Sequence, residues 1–177
     1  MLKPSAALAL EADYVLATLD IASLDNVKQS ISTNAGRAYG YFGGKRLDSV
    51  FQPIYSLPHR RIVGHEGLLR ASRFGRKDIS PIQVFNGDGG YISDTQSVFL
   101  DRLCRTIHLH NYQLEHTDNQ WLFLNVSAQV INRRRDHGPF FAELLESYGI
   151  SPKRVVCLLY TSPSPRDQRG SRMPSSA

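Results

Sequence analysis

The sequence is short of the features that would place it outside a cell or within a membrane. It has two cysteines, Cys104 and Cys157, which do not make a disulfide framework. A reducing, cytoplasmic setting suits that count. No apolar run approaches the roughly 20 residues that span a bilayer. The one candidate leader, Ala6 to Leu10, is short and is followed by Glu11 and Asp13, so neither secretion nor a membrane anchor is expected. There is no internal repeat and no heptad pattern. A phosphate loop is also missing. Gly40, Gly43, Gly44 and Lys45 have its composition, but Tyr39 stands where a Gly is needed and Arg46 where a Ser or Thr is needed.

Charge of one sign is scarce too. The net charge is +5, and the densest basic run, Arg133-Arg134-Arg135, is followed at once by Asp136. Such a run reads as a solvated helix end or loop, so a nucleic-acid polymer is not the expected partner. What is present is the composition of a globular domain. The chain has 177 residues, 41% hydrophobic and 21% charged, enough to bury a sizeable core.

The composition changes at Cys157. Cys157-Leu158-Leu159-Tyr160-Thr161-Ser162-Pro163-Ser164-Pro165-Arg166-Asp167 resembles one reading frame of a transposase-type sequencing adapter. Ser171-Arg172-Met173-Pro174-Ser175-Ser176-Ala177 resembles the flow-cell end of the same adapter, and Gln168-Arg169-Gly170 falls where a variable index would lie. Residues 157–177 are therefore expected to be a non-native tail; a Ser/Pro-rich disordered tail is the alternative. Setting aside Arg166, Arg169, Arg172 and Asp167 lowers the net charge from +5 to +3.

Three regions are expected: an N-terminal helix and linker over 1–46, a domain over 47–156, and the tail over 157–177. Ser5 to Ile31 is compatible with a helix, and the Gly-, Asn- and Tyr-rich stretch after it reads as a loop. Ser49 to Tyr55 and Ile62 to Leu69 read as strands joined by a turn at Pro58 to Arg61, hence an antiparallel pair. Ser80-Pro81 opens a short helix that Asn86-Gly87-Asp88-Gly89-Gly90 ends. A long helix begins at Asp94 or Thr95 and puts Phe99, Leu100, Leu103, Cys104 and Ile107 on one face. Trp121 to Val126 reads as a strand covered on both faces. Ser127 caps a helix to about Asn132, Phe140 to Tyr148 forms another ended by Gly149, and Val155-Val156 starts the next strand. Helices alternating with buried strands predict an α/β fold with a parallel sheet or barrel.

Two polar residues interrupt these strands. Glu66 lies in an otherwise apolar strand, where a carboxylate needs a partner or a metal. Asn125 repeats the pattern in the next one. Both fall near strand C-terminal ends, where barrel enzymes place their sites. Arg70 follows Glu66 and could meet a phosphate bidentately. Together these types suit hard-cation-assisted phosphoryl chemistry; a structural Glu–Arg pair with an Asn cap is the alternative. The other candidates read as structural. His108 and His110 are two apart on a helix and do not share a face. His65 points to the opposite strand face from Glu66. Asp88 lacks calcium-loop spacing, and Trp121 and Cys104 belong to the core.

Phe51-Gln52-Pro53-Ile54, Gly64-His65-Glu66-Gly67-Leu68-Leu69-Arg70, Leu124-Asn125-Val126-Ser127 and Ile150-Ser151-Pro152-Lys153-Arg154-Val155-Val156 occur in order. In that order and spacing they resemble the EAL family of cyclic-di-GMP phosphodiesterases, over about Leu47 to Val156. The resemblance implies a modified TIM-like (β/α)8 barrel with an antiparallel first strand, here incomplete. It implies hydrolysis of cyclic-di-GMP to the linear dinucleotide with two Mg²⁺ or Mn²⁺ ions. It implies Glu66 and Asn125 as metal ligands, and Gln52, Leu68 and Arg70 as substrate contacts, Arg70 near a phosphate. It also allows a homodimer of the complete domain. Gly67 departs from the family's usual Ala, and Ala128 from its usual Pro. The family's next metal-binding Glu is due shortly after Val156, where Cys157-Leu158-Leu159 stands. Its Asp-Asp pair, catalytic Lys and later Glu and Gln are missing as well. A chain so composed is expected to be inactive. A degenerate cyclic-di-GMP receptor and a protein-interaction module are the rival readings.

Overall fold

The computed structural model describes residues 23–73, 76–87, 91–115, 120–133 and 137–160. The expectations for residues 1–22, for Asp88, for Arg134 to Asp136 and for residues 161–177 lie outside these residues.

The organising unit is a long antiparallel pair. Strand β3 (Lys45–Ser56) and strand β4 (Arg61–Arg73) are joined by a turn in which Arg60 takes a left-handed φ of 49°. Their side chains alternate as pleating requires. Leu47, Ser49, Gly67, Leu69 and Ala71 are buried on one face, whereas Gln52 and Arg70 are exposed on the other. The register sets Gln52 opposite Glu66, Val50 opposite Leu68 and Asp48 opposite Arg70. Strand β6 (Trp121–Ser127) then joins β4 in parallel, and β7 (Val155–Tyr160) joins β6 in parallel. Strand β7 thus runs four residues past Val156, because Cys157-Leu158-Leu159-Tyr160 is apolar enough to continue the ladder.

The stretch before β3 differs from its expected loop. After helix α1 (Leu24–Gln29), capped by Ser23, strands β1 (Ile31–Asn34) and β2 (Arg37–Phe42) form a hairpin that continues the sheet onto β3. A short strand β5 (Arg76–Ile79) pairs with β4, giving seven strands in the order β1-β2-β3-β4-β6-β7 with β5 off that path. The glycines that suggest a loop have two different roles. Gly36 (φ 82°) makes the hairpin turn, while Gly40 lies inside β2 against Leu103 and Ile107, where a Cβ would sit 3.1–3.3 Å from their methyl groups.

Helix α2 (Pro81–Asn86) carries a capping box between Ser80 and Gln83. Helices α4 (Ala128–Arg133) and α5 (His137–Ser147) follow β6. Helix α3 (Asp94–Glu115) covers the sheet and is itself covered by other helices. It therefore buries more than the one apolar face expected. Leu100, Leu103, Cys104 and Ile107 belong to the core, but Asp101, Arg102, Arg105, Thr106, His108 and Asn111 are buried as well. Each buried polar group requires compensation. Asn111 accepts from the Ala38 amide (2.7 Å) and donates to the Ala38 carbonyl (2.9 Å) and Ser49 Oγ (2.8 Å), pinning the hairpin to α3. Asp101 pairs with Arg105, and its other oxygen accepts from the Ser127 amide (3.2 Å). The guanidinium of Arg102 lies 4.0 Å from the Phe140 ring centroid.

His108 packs under Gly67: a Cβ at Gly67 would sit 3.2 Å from His108 Cγ. Gly67, where the family resemblance has Ala, thus admits the helix to the strand. Burial lowers the His108 pKa to about 4 from 6.5. The folded state therefore excludes a proton that the unfolded chain takes up, so stability is full above pH 6.5 and falls as pH drops toward 4. A loss of about 1.4 kcal/mol between pH 8 and pH 5.5 is expected from this group. Urea denaturation at the two pH values checks it, and His108→Leu should remove that share.

Candidate functional site

The pleat of three adjacent strands builds one polar face on the side of the sheet away from α3. On β4, Glu66, Leu68 and Arg70 are spaced by two and share that face. On β3, Gln52 stands opposite Glu66. On β6, Phe123 pairs with Glu66, and Asn125 lies two residues further along. Asn125 Nδ2 donates to Glu66 Oε1 at 2.8 Å, so the two residues that interrupt their apolar strands are direct partners. This answers the desolvation cost of the carboxylate. The alternative Glu66–Arg70 pair is not formed; Arg70 Nη1 donates to the Leu69 carbonyl (2.9 Å), with its side chain toward a cleft beside β5. All five expected site residues, Gln52, Glu66, Leu68, Arg70 and Asn125, thus lie on one surface.

The residues read as structural are placed apart from it. His65 faces α3, with its ring 6.3 Å from that of Tyr112. His108 is buried, while His110 bonds the Gly36 carbonyl at 3.0 Å. Burial raises the Cys104 thiol pKa, consistent with an inert core residue. Trp121 differs from the expected covered strand: it is 50% exposed, on the face opposite α3.

Strand β7 adds what motif spacing alone leaves open. Its register sets Leu158 beside Asn125, and registered parallel neighbours point the same way. The third strand position at this site is therefore apolar. Glu66 and Asn125 offer one carboxylate and one amide oxygen, whereas a hard divalent cation takes six or more oxygens, several from the protein. Among the described residues there is no group of three or more His, Cys, Asp or Glu able to hold a metal ion. The described donor set does not fit a pair of divalent ions. No helix of the described residues is long and apolar enough to cross a membrane.

No protein-family model matches the chain, and no curated protein does. Solved structures do. BlrP1 of Klebsiella pneumoniae, in a calcium and cyclic-di-GMP complex, aligns with a TM-score of 0.54 at 16% identity over 90% of this chain and 38% of its own. The same protein with manganese and cyclic-di-GMP aligns at 0.52 and 15% identity, over 88% of this chain and 38% of its own. YkuI of Bacillus subtilis, a protein with an EAL domain in complex with its substrate cyclic-di-GMP and calcium, aligns at 0.51 and 27% identity. That match covers 64% of this chain and 28% of YkuI. The chain therefore spans less than two-fifths of the length of each. These matches support one assignment: the chain shares, over its length, part of the mixed α/β fold of an EAL-domain protein.

Proposed function

We propose that this chain comes from a cyclic-di-GMP phosphodiesterase of the EAL type, whose complete domain hydrolyses the cyclic dinucleotide to pGpG with Mg²⁺ or Mn²⁺. The supporting observation is the Glu66–Asn125 bond, on a face that also carries Gln52, Leu68 and Arg70. In this reading Glu66 and Asn125 are metal ligands, Gln52 and Leu68 contact the dinucleotide, and the Arg70 guanidinium meets a phosphate. The β3–β4 pair is the antiparallel opening of a (β/α)8 barrel of which this chain holds the first part. Residues 1–46 precede the barrel segment and include α1 and the β1–β2 hairpin, residues 47–156 are the barrel segment, and residues 157–177 are a non-native tail whose first four residues extend β7. The complete domain is cytoplasmic and forms a homodimer.

The chain itself binds without turning over. Leu158 beside Asn125 favours this, since an alkyl group can neither hold a cation nor polarise water. A titration of the 177-residue protein with cyclic-di-GMP, with and without Mg²⁺, tests the proposal. Binding should weaken at least about tenfold in Arg70→Ala, through loss of a charge-assisted contact worth roughly 1.5–3 kcal/mol. Equal affinity of the variant and the parent would contradict the assignment of Arg70.

A further inference from the structure

One end of the sheet carries cations and exposed apolar side chains together. Strands β4, β6 and β7 run parallel and start there, and the β3–β4 turn projects from it. Arg70 and Asn125 lie toward the other end of their strands. We propose that this end is a docking surface for an anionic lipid membrane, with the tip of the β3–β4 hairpin inserted among the headgroups. The proposal does not depend on what the polar face binds.

The first argument is charge. Arg60 and Arg61 lie on the hairpin, and Lys153 and Arg154 on the short helical turn Pro152–Arg154 that leads into β7. The segments that build this end, 49–65, 120–133 and 147–160, hold no acidic residue. Among the described residues Arg60, Arg61 and Lys153 form no ion pair. Arg154 Nη2 donates to the Gln120 carbonyl at 3.2 Å, which sets its guanidinium beside the start of β6. Cations so placed are drawn to the negative surface of a leaflet that contains phosphatidylserine.

The second argument is the apolar complement. Leu57 is 80% exposed in the turn, Tyr55 54% at the end of β3 and Trp121 50% at the start of β6. Tyr and Trp suit the boundary of a bilayer, where the ring is apolar and its O–H or N–H stays wet. Leucine suits the acyl region beneath. Arginine and lysine with these residues on one surface make the composition of an element that lies in a membrane interface.

The third argument is reach. Gly64 pairs with Trp121, and Arg61 is three residues ahead of Gly64, so the hairpin overhangs the start of β6 by roughly 10 Å at the strand rise. Val155 pairs with Leu122, which puts Arg154 level with Trp121. A headgroup layer is roughly 5–8 Å thick. With Trp121, Lys153 and Arg154 at its outer edge, Leu57 reaches the acyl boundary. The tip is also preformed. Ser56 Oγ lies 2.8 Å from His59 Nδ1, and the Arg60 amide donates to the Leu57 carbonyl at 3.4 Å. Arg60 takes a left-handed φ of 49°, where Gly or Asn would make the turn more easily, so what arginine adds there is its charge.

Trp121 is the single tryptophan of the chain, so its emission reports on this end alone. The test mixes the 177-residue protein with vesicles of phosphatidylcholine alone, or of phosphatidylcholine and phosphatidylserine in equal parts. Sedimentation and Trp121 fluorescence are then measured. The protein should sediment with the phosphatidylserine vesicles and its emission should shift to the blue, both effects fading as salt is raised. Arg60→Asn with Arg61→Gln, which suits the left-handed turn, should weaken binding roughly thirtyfold, as two cations at an anionic surface allow. Leu57→Ser should weaken it about tenfold through lost apolar burial. No sedimentation with phosphatidylserine vesicles, equal sedimentation with the neutral ones, unshifted emission from sedimented protein, or unchanged affinity in the charge variant would each overturn the proposal. Polyglutamate that shifts Trp121 emission as strongly as the vesicles, with no dependence on Leu57, would assign the surface to an acidic protein and overturn it as well.

Discussion

Asp101→Ala is expected to cost about 3–5 kcal/mol of folding stability, the range for removing one partner of a buried ion pair. Asp101 and Arg105 are 2% and 1% exposed at their side chains, so water cannot replace the lost contact. The substitution leaves the Arg105 guanidinium buried without its counter-charge, and it also removes the acceptor for the Ser127 amide. A domain of this size has only about 5–15 kcal/mol in hand, so the loss is a large share of the whole. The effect should reach the site, because Ser127 ends the strand that carries Asn125. Urea denaturation followed by circular dichroism measures the cost. Replacing both partners by apolar residues of similar volume, Asp101→Leu with Arg105→Met, should recover most of it, since the desolvation of both charges disappears. A loss below about 1 kcal/mol in the single variant would show that the pair is hydrated in solution.

Leu158→Glu is expected to strengthen divalent-cation binding over that of the parent chain. The new carboxylate would stand beside Asn125, itself 2.8 Å from Glu66, so three oxygen ligands would converge from three adjacent strands. Without metal, the added carboxylate shares the face with Glu66 across β6 and the two repel, so the variant should lose about 1–2 kcal/mol of stability. Saturating Mn²⁺ should restore that loss by binding only the folded state. Calorimetric titration with Mn²⁺ should show affinity at least about tenfold above the parent, as expected when ligand charge increases. Adding Glu66→Ala to Leu158→Glu should abolish the gain. Parent-like Mn²⁺ affinity in Leu158→Glu would mean that β7 does not border the site.

The legible parts of the sequence were those where one interaction dominates. Pro58 to Arg61 marked the β3–β4 turn, and Ser80-Pro81 marked the capped start of α2. Glu66 and Asn125 stood out because an apolar strand tolerates a polar side chain only with a partner, and each is the other's partner. The β1–β2 hairpin is not legible in the sequence, because Gly36, Gly40, Gly43 and Gly44 look alike there. Only tertiary contact shows that Gly40 is a packing position beneath Leu103 and Ile107. The alternation of Arg37, Tyr39 and Tyr41 with Ala38 and Gly40 was a usable strand signal. The all-round burial of α3 was likewise hidden, since Asp101, Arg105 and Asn111 fit a solvent face until the hairpin and β6 are seen to contact them.

The most direct test is incubation of the 177-residue protein with cyclic-di-GMP and excess Mg²⁺ or Mn²⁺, with bound and linear dinucleotide quantified by chromatography. The expected result is retained cyclic-di-GMP and no pGpG above the protein-free control, because the proposed face of Gln52, Glu66, Leu68, Arg70 and Asn125 has Leu158, not a third oxygen donor, beside Asn125. Accumulation of pGpG over many turnovers would contradict it.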